Sequence, residues 1–109
     1  MSLSTHVLDT ATGLPAAGVA VTLERRTDQG TWQQVGGGET GEDGRIADLL
    51  GAAPTASGHH RLTFDTGTYL GDDAFYHEVT VTFVVADPAQ HHHVPLLLSP
   101  YGYTTYRGS

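Results

Sequence analysis

The sequence predicts an all-β fold, a two-sheet antiparallel β-sandwich of seven to eight short strands with one short helix. Three segments carry this prediction, because apolar and polar residues alternate along each of them with a period of two. They cover residues 18–26, 60–65 and 78–85. A strand with one apolar face must bury that face, and two sheets packed against each other do so most simply.

Glycine, proline and acidic residues mark the connections between these strands. Residues 12–15 and the pair Asp43–Gly44 have the composition of tight turns. The run Gly36–Gly38 predicts a loose or bulged strand end, because consecutive glycines weaken a strand. A helix of one or two turns is predicted only near residues 66–73. The chain therefore consists mainly of strands and turns.

Composition excludes several kinds of function. The 109 residues carry a formal net charge of −7, which disfavours binding to nucleic acid or to an anionic membrane surface. The absence of cysteine excludes a disulfide scaffold and a thiolate nucleophile. Neither a signal peptide nor an apolar run of the ~20 residues that cross a membrane is visible. We therefore expect one cytoplasmic domain, residues 1–109, with no nucleic-acid or membrane partner.

Residues 91–98 form a predicted strand whose two faces differ in character. The even positions, which begin with His92, carry the stronger apolar pattern and are expected to face the core. His91 and His93 then point outward, on a face that also carries a proline and a leucine. An outward face of this composition indicates the wall of a pocket or an interface between subunits, with Pro95 and Leu97 as candidate interface residues.

The first strand, Leu3–Asp9, places His6 in a comparable position. Leu3 and Val7 share its core face, so His6 points outward. His6 and His93 share one outer face if their two strands are neighbours in a sheet, and the sequence leaves that adjacency open.

Two further features allow more than one interpretation. His6, His91 and His93 could hold a zinc ion with an activated water, but no acidic residue that would orient such ligands is identifiable. A site without metal is therefore the expectation, and a zinc hydrolase is the alternative. Arg45 follows the turn at Asp43–Gly44, where it is either a solvated charge or a guanidinium that binds a carboxylate or enolate oxygen.

Three motifs, taken in order along the chain, resemble those of one known family. They are Ser4–Asp9 with residues 12–16, then Asp43–Ile46, and finally His91–Ser109, which ends in Tyr-Arg-Gly-Ser. Together they are similar to the motifs of the transthyretin-related 5-hydroxyisourate hydrolases and they span the whole chain.

The resemblance implies a transthyretin-like (prealbumin-like) sandwich assembled as a homotetramer, a dimer of dimers with its sites in the channel where the dimers meet. It implies no metal and no cofactor. It also implies three catalytic residues and four substrate-binding residues, namely His6, Arg45 and His93, and Tyr106, Arg107, Gly108 and Ser109.

The implied reaction opens the six-membered ring of 5-hydroxyisourate by attack of water on a ring carbonyl. The product is a carboxylated ureidoimidazoline (2-oxo-4-hydroxy-4-carboxy-5-ureidoimidazoline), on the route from urate to allantoin. Either His6 or His93 could activate the water, since an imidazole pKa of about 6.5 suits a base near neutral pH.

Two points complete the expectations from the resemblance. The alternative function is a non-catalytic, transthyretin-like carrier of small molecules, which lacks the histidine pair and the Tyr-Arg-Gly-Ser signature. His92 stands where the family usually has tyrosine. Because His92 is expected to face inward, this departure predicts a change in packing and not a loss of activity.

Overall fold

The computed structural model describes residues 3–109, which contain nine strands, one short α-helix and a 3₁₀-helix at Gly71–Asp73. In chain order the elements are β1 (Leu3–Asp9), β2 (Leu14–Pro15), β3 (Ala20–Arg26), β4 (Trp32–Glu39), β5 (Arg45–Ile46), β6 (Gly58–Phe64), α1 (Thr66–Leu70), β7 (Val79–Val85), β8 (His92–Ser99) and β9 (Gly102–Thr105). Two of these strands have only two residues. The predicted all-β class and the helix near residues 66–73 are confirmed. No described helix is long and apolar enough to span a membrane.

The strands form two sheets that pack face to face. The first sheet has the order β2-β1-β8-β9, and β5 also pairs with β1. The second sheet has the order β4-β3-β6-β7. Among the described strand pairs, all are antiparallel except β1 and β8, which run parallel. The first and penultimate strands are therefore neighbours, which the sequence left open.

The core lies between the sheets and is built from the apolar face of each strand. The alternation predicted for β3, β6 and β8 is confirmed, because the side chains predicted to face inward on these strands are buried. In β7, Val79 and Val85 are buried, and Val81 and Phe83 between them are half-buried. Burial of each apolar side chain contributes about 1.5–3 kcal/mol to stability. The largest fully buried side chains of the two sheets include Leu3, Val7, Leu23, Leu62, Phe64, Leu96 and Leu98.

The three consecutive glycines lie inside β4 and not at its end. The predicted bulge is present, since the register between β3 and β4 shifts between Leu23 and Glu24. The bulge lies directly before the glycine run, and the main chain of Leu49 packs on Gly36. A Cβ atom at Gly36 would collide with the Leu49 carbonyl oxygen. Glycine at position 36 thus allows the loop between β5 and β6 to approach the main chain of β4 closely.

The turn at Asp43–Gly44 joins β5 to the middle of β1. The backbone N–H of Val7 donates to the carbonyl oxygen of Gly44 at 2.8 Å. Gly44 has φ +76°, and a Cβ atom there would collide with the Val7 carbonyl oxygen. Only glycine permits this contact, and the contact sets Arg45 directly opposite His6 in the pairing of β5 with β1.

Candidate active site

A cleft of about 440 Å³ lies on the outer face of the first sheet, where β1, β5 and β8 meet. Its walls are formed by Ser4, His6, Arg45, His91, His93, Tyr106, Gly108 and Ser109. The structure thus brings together all of the site residues predicted from the sequence except Arg107. It also adds Ser4, and it adds His91, which the sequence suggested only as a zinc ligand.

Strand pairing explains how residues 87–89 positions apart come to share this cleft. In the parallel register of β1 and β8, Ser4 lies opposite His93 and His6 lies opposite Pro95. His92 points to the other side and is 5% exposed, as predicted. Pro95, expected as an interface residue of the outer face, is already buried within the chain.

His6 is held by the turn that precedes β5. Its Nε2 atom lies 2.9 Å from the carbonyl oxygen of Asp43. A carbonyl oxygen only accepts, so Nε2 carries the proton and donates it, and the lone pair of neutral His6 is on Nδ1. The Asp43 carboxylate in turn accepts the backbone N–H of Arg45 at 3.0 Å. One turn therefore orients both His6 and the start of β5.

The guanidinium of Arg45 lines the cleft and is available to a ligand. Arg45 is exposed, and no carboxylate within residues 3–109 forms an ion pair with it. No Asp or Glu side chain lines the cleft, although the whole chain carries a net charge of −7. A planar cation that is paired with no Asp or Glu side chain of residues 3–109 is suited to bind an anionic oxygen of a small molecule.

Ser4 forms hydrogen bonds with two histidines, His93 of β8 and His91, which directly precedes that strand. Its Oγ atom lies 2.7 Å from His93 Nδ1 and 2.9 Å from His91 Nε2. The two imidazole rings stack, with 6.5 Å between their centroids and 16° between their planes. A serine hydroxyl has one proton, so it donates to one ring and accepts an N–H from the other. The three side chains therefore form one continuous hydrogen-bonded chain.

The electrostatic surroundings of His93 suit it to act as a base. Its pKa is lowered from the ordinary value of 6.5, first by desolvation and then by the positive charge of Arg45 and by the neighbouring His6 and His91. Both effects disfavour the charged imidazolium. His93 is consequently neutral at pH 7 and has a lone pair with which to accept a proton.

The segment after β9 folds back over β8 and completes the cleft. The backbone N–H of Gly108 donates to the carbonyl oxygen of His93 at 2.8 Å, which forms a single β-bridge. A Cβ atom at Gly108 would lie 2.5 Å from Cδ2 of the His93 ring. Glycine therefore lets the main chain pack against the imidazole, and this contact places Tyr106 and Ser109 at the cleft.

Arg107 is the one predicted site residue that the structure keeps out of the cleft. It lines a separate apolar pocket of about 220 Å³, together with Phe83 and Val94. Its guanidinium donates to Oε1 of Gln90 at 3.3 Å. Successive residues of an extended segment point to opposite sides, so Arg107 faces away when its neighbours face the cleft.

Ser4 is the cleft residue that sequence reasoning missed. The signal was present, because Ser4 precedes His6 by two residues and therefore shares its outward face. A serine hydroxyl alone, however, indicates no function until its partners are known.

The zinc alternative depends on His6, His91 and His93, which all line the cleft. Within residues 3–109, no three side chains of His, Asp or Glu are placed to hold a metal ion.

Comparison with known proteins agrees with this fold. Residues 3–108 match the model of the HIUase/Transthyretin family. The 5-hydroxyisourate hydrolase of Salmonella dublin is 48% identical over 110 residues, which cover 98% of this chain and 80% of that protein. The solved structure of Klebsiella pneumoniae 5-hydroxyisourate hydrolase superposes with a TM-score of 0.85 and 38% identity over 100% of both chains.

A solved structure of sea bream transthyretin in complex with thyroxine is also similar. It gives a TM-score of 0.88 and 34% identity, and the match covers 99% of this chain and 95% of that one. The predicted transthyretin-like sandwich is therefore confirmed. Because both the family model and these relatives match nearly the entire sequence, the chain belongs to the HIUase/Transthyretin family.

Proposed function

We propose that this chain is a 5-hydroxyisourate hydrolase whose active site is the cleft between β1, β5 and β8. One observation carries the proposal, namely that the cleft unites His6, His93 and Arg45 without any acidic side chain, and Arg45 forms no ion pair within residues 3–109. Such a site fits an anionic, oxygen-rich ring compound. Relatives named 5-hydroxyisourate hydrolase at 48% and 38% identity support the same substrate.

In the proposed reaction, neutral His93 accepts a proton from a water molecule as the water oxygen bonds to a ring carbonyl carbon. Arg45 binds the substrate anion and stabilises the oxyanion that forms on that carbon. The bond from the carbon to the ring nitrogen then breaks, and the nitrogen takes up the proton from His93. The former carbonyl becomes a carboxylate, which releases one proton and gives the carboxylated ureidoimidazoline.

The remaining cleft residues bind and orient the substrate in this proposal. His6, whose Nε2–H is held by the Asp43 carbonyl, offers Nδ1 to the substrate or to the attacking water. Tyr106, Gly108 and Ser109 supply the polar wall opposite β1. Arg107, which the resemblance assigned to substrate binding, acts indirectly by anchoring this segment through Gln90. The reaction uses no metal and no cofactor.

We further propose that the domain of residues 1–109 works in the cytoplasm as a homotetramer, a dimer of dimers. β7 and β9 end their sheets without a further strand, and both line the same apolar pocket. Unpaired edges that lie together are suited to pair with a second copy. Two aromatic side chains are also largely exposed in the single chain, Phe75 at 66% and Tyr101 at 76%. Exposed aromatic side chains are typical of interfaces between subunits. The outer face of the first sheet would then line the channel between dimers.

A non-catalytic carrier is the second candidate, favoured by the similarity to transthyretin in complex with thyroxine. Overall shape does not separate the two functions, since both kinds of relative match the whole chain. The walls of the cleft separate the two functions, because histidines, an arginine and hydroxyl groups suit proton transfer to and from a polar substrate.

The test is to generate 5-hydroxyisourate from urate with urate oxidase and to follow its decay by ultraviolet absorbance. We expect the wild-type protein to accelerate the decay with or without a chelator. His93→Ala should lower kcat/KM by roughly 10²–10⁴-fold, and Arg45→Ala and His6→Ala should also lower it. His59→Ala is the matched control, since His59 is an exposed histidine of the other sheet.

Three outcomes would contradict this assignment. A wild-type protein that leaves the spontaneous decay unchanged would refute the hydrolase and favour the carrier. Folded His6→Ala and His93→Ala variants with near-native rates would refute the proposed roles of these residues. Loss of the wild-type rate on chelation would instead support the zinc hydrolase.

A further inference from the structure

We infer that Ser4 and His91 are positioning residues that hold the lone pair of His93 on Nε2, the atom that accepts the proton of the attacking water. The inference deepens the proposed function, on which its kinetic part rests. Its structural part concerns the protonated nitrogen of one imidazole ring and can be measured without any substrate.

The geometry leaves Nε2 as the only reactive nitrogen of His93. Nδ1 lies 2.7 Å from Ser4 Oγ, so this atom is already engaged in a hydrogen bond. Ser4 is 8% exposed, and the pairing of β1 with β8 sets its backbone opposite that of His93. The hydroxyl is therefore held in place by the sheet itself. Any proton that His93 takes from the cleft must arrive at Nε2.

The single proton of Ser4 allows two directions for the hydrogen-bonded chain. In the first, His93 Nδ1–H donates to Ser4 Oγ, and the Ser4 hydroxyl donates to His91 Nε2. Neutral His93 then has its lone pair on Nε2. In the second, His91 donates to Ser4 and Ser4 donates to Nδ1 of His93. His93 then carries its proton on Nε2 and cannot act as a base there.

The first direction is the one that catalysis requires, and proton uptake does not disturb it. A protonated His93 has N–H groups on both nitrogens, so Nδ1 must donate to Ser4. Ser4 must then donate onward to an acceptor, which Nε2 of His91 provides at 2.9 Å. The hydrogen bonds of the first direction are thus the same before and after the proton transfer. A site that needs no rearrangement during the reaction is preorganised for it.

The contrast with His6 supports a division of roles. The Asp43 carbonyl oxygen fixes the proton of His6 on Nε2, so neutral His6 presents a lone pair on Nδ1. A backbone carbonyl enforces this state without any further partner. His93 has no such carbonyl at Nδ1 and depends on a hydroxyl that can donate or accept. The direction of that hydroxyl follows from whether Nε2 of His91 accepts or donates, and the first direction is the one in which it accepts.

The direct test measures the protonated nitrogen of His93 by two-bond ¹H–¹⁵N NMR on the ¹⁵N-labelled full chain at neutral pH. We expect wild-type His93 to be protonated on Nδ1. In Ser4→Ala and His91→Ala the proton should move wholly or partly to Nε2, which free imidazoles prefer. His91→Gln should restore the wild-type state, because the amide oxygen of glutamine can accept from Ser4.

The kinetic test uses the 5-hydroxyisourate assay on the same variants. Ser4→Ala and His91→Ala should lower kcat on the order of 10–100-fold with little change in KM, because a wrongly protonated base binds substrate but reacts slowly. His91→Gln should recover most of the rate. His91 is exposed, so its substitutions keep the fold even if Ser4→Ala does not.

The possible failures are distinguishable. A wild-type spectrum with the His93 proton on Nε2, or a His91→Ala spectrum identical to the wild type, would overturn the inference whatever the activity. A wild-type protein that does not accelerate the decay of 5-hydroxyisourate would refute the proposed function, while the NMR result would still decide the state of His93.

Discussion

The two faces of β8 carry adjacent histidines, His92 and His93, that lie in different surroundings. His92 points between the sheets and is 5% exposed, whereas His93, one residue later, points into the cleft. Their backbone conformations are alike, since both belong to one strand. The difference comes from what each ring meets, so position relative to the sheet decides between packing and chemistry.

On the inner face, His60 and His92 are buried and each donates one ring N–H to a backbone carbonyl oxygen. His60 of β6 stacks on Phe83 with 5.8 Å between ring centroids, and its Nδ1–H donates to the Gly58 carbonyl at 3.1 Å. The pKa of His60 is lowered chiefly by burial, and further by the positive charge of Arg25 and by His92, although the Gly58 hydrogen bond opposes the shift. His92 is bound in the same way, to the Gln90 carbonyl at 3.0 Å.

The outer face also lowers a histidine pKa, but it does so next to groups that can pass a proton. Ser4 and His91 at His93 are side chains that can both donate and accept, whereas the backbone carbonyls at His60 and His92 only accept. A lowered pKa therefore does not by itself mark the functional histidine. The functional histidine is marked by the hydrogen-bond partner of its ring, which is a side chain at His93 and a backbone carbonyl at His60 and His92.

The largest effect on activity is expected from a substitution that displaces the His93 ring on the outer face and leaves the inner face unchanged. In Gly108→Ala, the added Cβ would lie 2.5 Å from the His93 ring and must displace it. Displacement of a catalytic base by about 1 Å can cost on the order of 10²-fold in rate, so kcat/KM should fall by about that factor. The melting temperature should change little, because Gly108 lies outside the core.

Gly102→Ala is the control for this substitution. Its added Cβ would lie 3.8 Å from Ser99 Oγ, which is an ordinary contact, so activity should be retained. A Gly108→Ala enzyme with the wild-type rate would show that the position of the His93 ring is not critical.

A smaller effect is expected on the inner face, where stability and not activity should depend on pH. Because the pKa of His60 lies below 6.5 in the folded chain, the unfolded chain binds this proton more readily. The contribution of neutral His60 is therefore complete above about pH 6.5 and decreases as the pH falls through its lowered pKa. His60→Phe keeps the stacking on Phe83 and should weaken the decrease in unfolding free energy between pH 7 and pH 5.

Urea unfolding at several pH values would measure this dependence. His59→Phe is the matched control, because His59 is the exposed neighbour on the same strand and should leave the dependence as in the wild type. An unchanged pH dependence in His60→Phe would mean that the inner histidine does not contribute to acid sensitivity.

The smallest effect is expected for His92→Tyr, which introduces the residue that the family usually has between the two outward histidines. His92 is buried and its Nδ1–H donates to the Gln90 carbonyl, so the substitution removes this hydrogen bond and alters the packing of the inner face, outside the cleft. We expect kcat/KM to stay within about threefold of the wild type in the absorbance assay. A loss of roughly 10²-fold or more would mean that the two faces of β8 are coupled.

Local patterns in the sequence determined much of this protein. Alternation with a period of two is a property of a single strand, so the inward position of His92 and the outward positions of His6 and His93 could be predicted without knowing the neighbouring strands. The turn before Arg45 was equally local, because glycine at positive φ is a requirement of the turn itself. The short motifs then identified the family and its sandwich.

Only the tertiary structure decided which of these residues meet. The parallel pairing of β1 with β8 brings Ser4 to His93 across 89 positions, and no local pattern encodes that register. The same holds for Arg107, which the motif placed at the substrate but the fold turns towards Gln90. The face to which a side chain points is set by the local geometry of its own strand. The residues that it contacts depend on how the strands pair and how the two sheets pack over the whole chain.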